Sequence, residues 1–201
     1  ADSAHQIKVF TTRIDTIFGA TFLVLAPEHP LALELATEDR KAEVAEYAKN
    51  AIKKSEIERQ ENKEKTGVFT GSYAINPVND VKMPIYIADY VLIGYGEGAV
   101  MAVPAHDERD RAFAEKYDLE VKTVIDENEI LINYTGLTSE EAKAKITKDL
   151  EKDQIAAPRT TYRMRDWLIS RQRYWGCPIP IAYDKNGNPH AIPEDQLPVV
   201  L

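Results

Sequence analysis

The chain has 201 residues, 44% of them hydrophobic, and 25 Lys and Arg against 33 Asp and Glu give a formal charge of −8. That length suffices for one full domain with a small appendage, and the acidic balance excludes a protein that grips nucleic acid over its whole surface, because phosphate neutralisation by Lys and Arg supplies most non-specific affinity. There is no run of about 18 apolar residues and no signal-peptide pattern in ADSAHQIKVF, while Cys177 is alone and His5, His29, His106 and His190 lack metal-ligand spacing, so a cytoplasmic protein without membrane span, disulfide, metal or cofactor is expected.

Alternation in IKVFTTR predicts a first strand and ATFLVLAP a second, buried one, with the polar segment TTRIDTIFG between them. Thr37, followed by Glu38 and Asp39, reads as a helix start that sets Val44, Tyr47, Ala48, Ala51 and Ile52 on one face. Residues 53 to 66 are charged with mixed sign and read as a solvated helix end or loop. From 67 to 104, GVFTGSYAINPV, MPIYIADYVLIGY and GEGAVMAVP are short β-branched and aromatic runs punctuated by Gly, Pro and Asn, the pattern of a compact sheet or barrel.

HDERDRAFAEKYDL then reads as a helix capped by Asp107, and Thr138 to Glu141 as a capping box opening a helix to about Lys152. The Asn-Gly pair in DKNGNP marks a hairpin turn. Mixed elements without a βαβ repeat give the class α+β, a β-barrel-like sheet core flanked by helices. Charge is uneven: residues 158 to 201 carry six basic and four acidic side chains, the remainder 19 and 29. PRTTYRMRDWLISRQRYW interleaves five arginines with aromatics, which suits phosphate contact and stacking, or equally an Arg-rich surface strand and helix.

Two constellations carry possible chemistry. In TTRIDT, Thr11, Thr12 and Thr16 set three hydroxyls and Arg13 a guanidinium within a turn-sized segment, able to hydrogen-bond a polar substrate and position a water; spacing alone leaves open a plain threonine-rich strand end. In HDERD, Asp107 and Asp110 lie three apart and face the same way on a first helical turn, where two carboxylates can bind an ammonium group or simply open a helix. There is no GxSxG elbow, no P-loop and no local Cys-His dyad. A hydrolase built from these residues uses water as nucleophile.

The stretches TTRIDTIFGATFLVLAPEHPL, GVFTGSYAINPVN, PIYIADYVLIGYGEGAVMAVPAHDERD and DWLISRQRYWGCPIP closely resemble, in this order and over nearly the whole chain, the editing insertion of bacterial-type leucyl-tRNA synthetases. The related isoleucyl and valyl enzymes lack the DT after the TTR segment and the full HDERD run. The HIGH and KMSKS signatures of aminoacyl-adenylate formation are absent, so no aminoacylation is expected, and ATP and leucine belong only to a full-length enzyme. The resemblance implies an editing domain over residues 1–157, with 158–201 a linker and the start of a return segment into a catalytic domain.

It also implies post-transfer editing: a monomer hydrolysing the ester at the 3′ end of tRNA(Leu) mischarged with isoleucine, norvaline or methionine, with leucine excluded sterically. A pocket separating aliphatic side chains gains only about 1–3 kcal/mol per methylene, so a second sieve is needed. By resemblance, Asp110 binds the α-ammonium and Asp107 and Arg109 support it. Thr11, Thr12 and Arg13 contact the terminal adenosine and the ester, and Thr16 is the discriminator whose bulk blocks leucine. Tyr95, Met101 and Val103 line the amino-acid pocket and its entrance, with His106 also in the substrate-binding set.

The family commonly has Pro where this chain has Ile14, which restores a backbone N–H, frees φ and implies a less preorganised loop that still supports activity. Two other roles are open to the residues: a tRNA- or partner-binding insertion with little hydrolysis of its own, which the acidic charge favours, and a free-standing editing protein, which the DWLISRQRYWGCPIP tail disfavours.

Overall fold

Phe22–Leu25 form strand β1, and all four residues are buried, the signature of a strand covered on both faces. The computed structural model describes residues 5–62, 64–94, 96–125, 137–160 and 180–198. β1 lies inside a four-stranded mixed sheet of order β2-β3-β1-β4, with β2 at Gly67–Ile75, β3 at Lys82–Ala88 and β4 at Ala99–Ala102. It runs parallel to β3, Leu23 opposite Ile85, and antiparallel to β4, Phe22 opposite Ala102 and Leu25 opposite Ala99. β2 pairs antiparallel with β3. With the helices against this sheet the class is α+β.

Alternate residues of a strand face opposite sides, and two separate cores result. On one side Leu23, Leu25, Ile85 and Ile87 meet Ala32 of helix α1 (Leu31–Glu34) and Val44 and Ala48 of helix α2 (Lys41–Ile52). On the other, Phe22, Val24, Tyr86 and Ala88 meet Phe113 and Ala114 of helix α4 (Glu108–Tyr117). Phe113 is fully buried, 5.5 Å from the Phe22 ring and 4.4 Å from Tyr117 between centroids. An aromatic side chain buried in this way stabilises the fold by about 2–3 kcal/mol, and it fixes how α4 lies on the sheet. A third cluster joins Ile146 and Leu150 of helix α5 (Ser139–Lys152) to Ile17 and Val124.

Several expectations hold. Asp107 caps α4, its carboxylate accepting from the N–H groups of Arg109 and Asp110. Thr138 and Glu141 form the reciprocal capping box of α5, which ends at Lys152. DKNGNP turns between β5 (Ile181–Tyr183) and β6 (Pro189–Ala191). Others are corrected. No strand forms before β1 among the described residues: Ile7 and Val9 pack on the core without entering a ladder, and Ile14–Gly19 make a 3-10 helix. Helix α2 begins at Lys41, not near Thr37, and Ile52 is exposed.

The reason lies in β2. Its bulge at Gly71, φ +86°, brings the backbone so close to Thr37 that a Cβ there would stand 2.0 Å from the threonine hydroxyl; only glycine fits both the conformation and the space. Thr37 is thereby bound to the Thr70 carbonyl through its N–H at 2.9 Å and does not cap the helix. The charged stretch 53 to 66 is also corrected: Glu56–Glu61 is helix α3, capped by Ser55, and its Arg59 is buried at 2% exposure.

The chain divides into two compact units, Ala1–Pro158 and Arg159–Leu201. Most of the arginine-rich run and Cys177 lie outside the described residues. Among the described residues no helix is long and apolar enough to cross a membrane.

Candidate active site

The register of β1 against β4 sets the segments that carry the two sequence constellations at the same end of the sheet. Because Phe22 opens β1 and pairs with Ala102, which closes β4, the loop entering β1 and the segment leaving β4 emerge at the same end of the sheet. Thr21 N–H donates to the Ala102 carbonyl at 3.1 Å. Ala20 packs with Val103, and Met101, half-buried, touches both that cluster and the one containing Ile14 and Phe18. The Val124 N–H donates to His106 Nε2 at 3.3 Å, and Val124 packs in turn with Ile17.

The threonine loop is braced by its own side chains. Thr16 is buried and donates its hydroxyl to the Arg13 carbonyl at 2.8 Å. The half-buried Thr11 accepts from the Arg13 N–H through Oγ1 at 2.9 Å, while Thr12 is exposed. The guanidinium of Arg13 forks onto Asp15, Nε and Nη2 donating at 3.1 and 2.9 Å, and Ser139 of α5 donates to the same carboxylate at 2.6 Å. Burial pushes the Asp15 carboxyl up, but the hydrogen bonds from Arg13 and Ser139 and the Arg13 charge outweigh it and hold the group below its usual range. Asp15 is therefore a fixed anion. Beside this bracing, Ile14 packs against the cluster of Ile17 and Val124 together with Phe18.

At the other side, Asp107 is tied to its own helix and to Arg109, whose Nη2 donates at 3.1 Å. Burial raises Asp107, and its bonds to Arg109 and the backbone N–H groups bring it below the usual range. Asp110 behaves differently. It is buried; the Tyr90 hydroxyl donates to Oδ1 at 3.1 Å and the Val103 N–H to Oδ2 at 2.9 Å. Burial, reinforced by the Asp107 charge, pushes its carboxyl up to about 6 despite those two bonds and nearby Arg109. Tyr90 itself is driven far above its ordinary value by burial and by Asp110, so it remains a donor. Burial also lowers His106, aided by the charges of Arg13 and Arg111, consistent with a neutral imidazole accepting the Val124 N–H.

Tyr95 lies outside the described residues. Tyr90, Asp15 and Ser139 bond to residues of the candidate site without a local sequence signal for it: Tyr90 sits in an apolar run, and Ser139 is 124 positions from its partner Asp15. Only the capping pattern around Ser139 was visible beforehand.

The chain matches the family model for the leucyl-tRNA synthetase editing domain over residues 1–153. It is 52% identical to a leucine–tRNA ligase of Clostridium tetani and 53% identical to one of Clostridium beijerinckii, in each case over 100% of this chain and 26% of the relative. It is also similar to the LeuRS chain in the crystal structure of the Agrobacterium radiobacter K84 agnB2 LeuRS-tRNA-LeuAMS ternary complex, with TM-score 0.70 and 39% identity over 99% of this chain and 24% of that one. The chain thus spans about a quarter of the length of these relatives. A domain with a threonine loop and an aspartate-capped helix at one end of a mixed sheet, matched by the editing-domain model over three quarters of its length, belongs to the leucyl-tRNA synthetase editing-domain family.

Proposed function

We propose that the domain hydrolyses the ester of tRNA(Leu) carrying isoleucine, norvaline or methionine, excludes leucine by size, and uses water as the nucleophile. The observation that carries this reading is the condition of Asp110. It is a buried carboxylate held by two neutral donors, with no cation in ion-pair contact among the described residues, and its raised pKa marks a charge the protein leaves undercompensated. An α-ammonium supplies that missing charge. An unacylated 3′ end does not, so the site favours the aminoacyl ester over deacylated tRNA.

With the ammonium held, the remaining needs are orientation and hydrogen bonds to developing charge, because an aminoacyl ester is already activated. Thr11, Thr12 and Arg13 face the terminal adenosine and the ester, where a threonine hydroxyl orients the water. Thr16 presents its methyl, its hydroxyl being engaged by Arg13, and turns away the branched end of leucine. Met101, Val103, His106 and Tyr95 complete the pocket, and Asp107 and Arg109 hold the start of α4. The tRNA in the complex of the structural relative supports a tRNA 3′ end as partner. In this reading residues 1–157 are the editing module and 158–201 lead back toward a catalytic domain.

The test is deacylation of isoleucyl- and leucyl-tRNA(Leu) by the 201-residue chain. Hydrolysis of the first and sparing of the second is expected; hydrolysis of neither overturns catalysis by this chain. In a second reading the chain is a tRNA- or partner-binding insertion with little hydrolysis of its own, because a formal charge of −8 weakens its own hold on tRNA, and this predicts little turnover of either substrate.

A further inference from the structure

Arg59 comes from a charged stretch that reads as solvated, yet it is 2% exposed. Taking a guanidinium out of water costs several kcal/mol unless its donors are met, and here they are met in a particular way. Nε donates to the Asp89 carbonyl at 2.9 Å, Nη2 donates to the Val91 carbonyl at 2.8 Å, and Nη1 pairs with Glu28. The two carbonyls bracket one residue, Tyr90. Asp89 is fixed independently: its carboxylate accepts from the Thr66 N–H at 3.2 Å and the Thr66 hydroxyl at 2.8 Å, and its N–H donates to the Tyr47 hydroxyl at 3.1 Å.

We propose that Arg59 is a positioning residue for the editing site: by holding the carbonyls on both sides of Tyr90 it aims the Tyr90 hydroxyl at the Asp110 carboxylate, 3.1 Å away. The inference rests on the reading of Asp110 as the ammonium-binding group. Tyr90 has two rotatable side-chain bonds, so once its backbone is clamped and its ring buried, the hydroxyl has one place to go. Helix α3 is thereby linked to α4 through one buried cation and one phenol. The charged and titratable groups around Asp110 are Tyr90 from the loop after β3 and Asp107 and Arg109 from its own helix start, with the Val103 N–H on the remaining oxygen. The Tyr90 bond is one of the influences that lower the Asp110 pKa, so a misplaced Tyr90 leaves the carboxyl harder to ionise.

The experiment follows the Asp110 carboxyl carbon by NMR titration, assigned by its loss in Asp110→Asn, alongside the pH profile of isoleucyl-tRNA(Leu) deacylation by the 201-residue chain. Arg59→Lys keeps the charge and loses the two-carbonyl fork; Arg59→Met combined with Glu28→Gln removes both charges, so that neither is left without its partner. Tyr90→Phe removes the final link. In all three the carboxyl midpoint should move up from about 6 by about half to one pH unit, the worth of one hydrogen bond to a carboxylate. The acid limb of the deacylation profile should move with it, lowering kcat/KM near pH 6 about two- to fivefold. If the folded Arg59 variants lose thermal stability but keep the wild-type midpoint and profile, Arg59 only ties α3 down and the inference is overturned. If Asp110→Asn deacylates normally, the ammonium role of Asp110 fails instead, while the carboxyl titration still decides whether Arg59 sets Tyr90 upon it.

Discussion

Replacing Asp110 by Asn separates stability from activity. The carboxyl rises from an ordinary 3.8 to about 6 on folding. The folded state therefore holds this proton more tightly than the unfolded one. Stability from this group is fully present below about pH 4 and is lost as the pH climbs through about 6. At pH 7 the loss amounts to roughly 3 kcal/mol, at about 1.4 kcal/mol per pH unit between the two values.

Asparagine is never charged and escapes that loss. Its carbonyl can accept the Val103 N–H, and its amide must then donate to the Tyr90 oxygen, which reverses that bond and strands the phenol proton at a cost of about 1–2 kcal/mol. The expected net effect at pH 7 is a gain of about 1–2 kcal/mol, or a Tm increase of several degrees for a domain of this size. At pH 4.5 the two proteins should differ little, because the aspartate is then protonated too. Deacylation of isoleucyl-tRNA(Leu), by contrast, should fall at least about a hundredfold, because the substrate ammonium loses a buried charged partner. Calorimetry at both pH values and a deacylation assay read the two effects. A variant that deacylates at the wild-type rate, or one whose stability difference is the same at pH 4.5 and 7, refutes the reasoning.

Substitutions at three further positions probe the rest of the site and the core. Thr16→Ala should permit hydrolysis of leucyl-tRNA(Leu), whereas Thr16→Val, which keeps the bulk and loses only the bond to the Arg13 carbonyl, should go on sparing it; leucine rejection by both variants moves the sieve elsewhere. Ser139→Ala removes the 2.6 Å bond to the buried Asp15, and should cost about 1–3 kcal/mol in urea unfolding together with a several-fold drop in editing rate, an undiminished rate showing that Arg13 alone braces the loop. Gly67→Ala drives a methyl to 2.6 Å from the Ile87 carbonyl and 2.8 Å from the Phe113 ring, and should destabilise by about 1–3 kcal/mol or more, measured as a lowered urea midpoint.

Much of the scaffold was legible because its signals are local. The Asp107 cap and the Thr138–Glu141 box each close over three residues, β1 announces itself as an unbroken apolar run, and the DKNGNP turn carries its own chemistry. The resemblance that singled out TTRIDT and HDERD also rested on contiguous residues. Which end of the sheet they share depended on the pairing of Phe22 with Ala102, eighty positions apart in the chain, and no local pattern encodes that register.

The sequence by itself determined where most helices and strands lie and which family the residues resemble, because caps, turns and apolar periodicity act within a few residues. Tertiary structure alone decided that IKVFTTR is not a strand, that Thr37 serves the Gly71 bulge and not a helix, that Asp15 meets Ser139, and that Arg59 is buried behind Tyr90. A charged side chain reads as solvated until the carbonyls and the counter-ion that compensate it are known, and for Arg59 those partners come from Glu28, Asp89 and Val91, brought within reach only when the chain has packed.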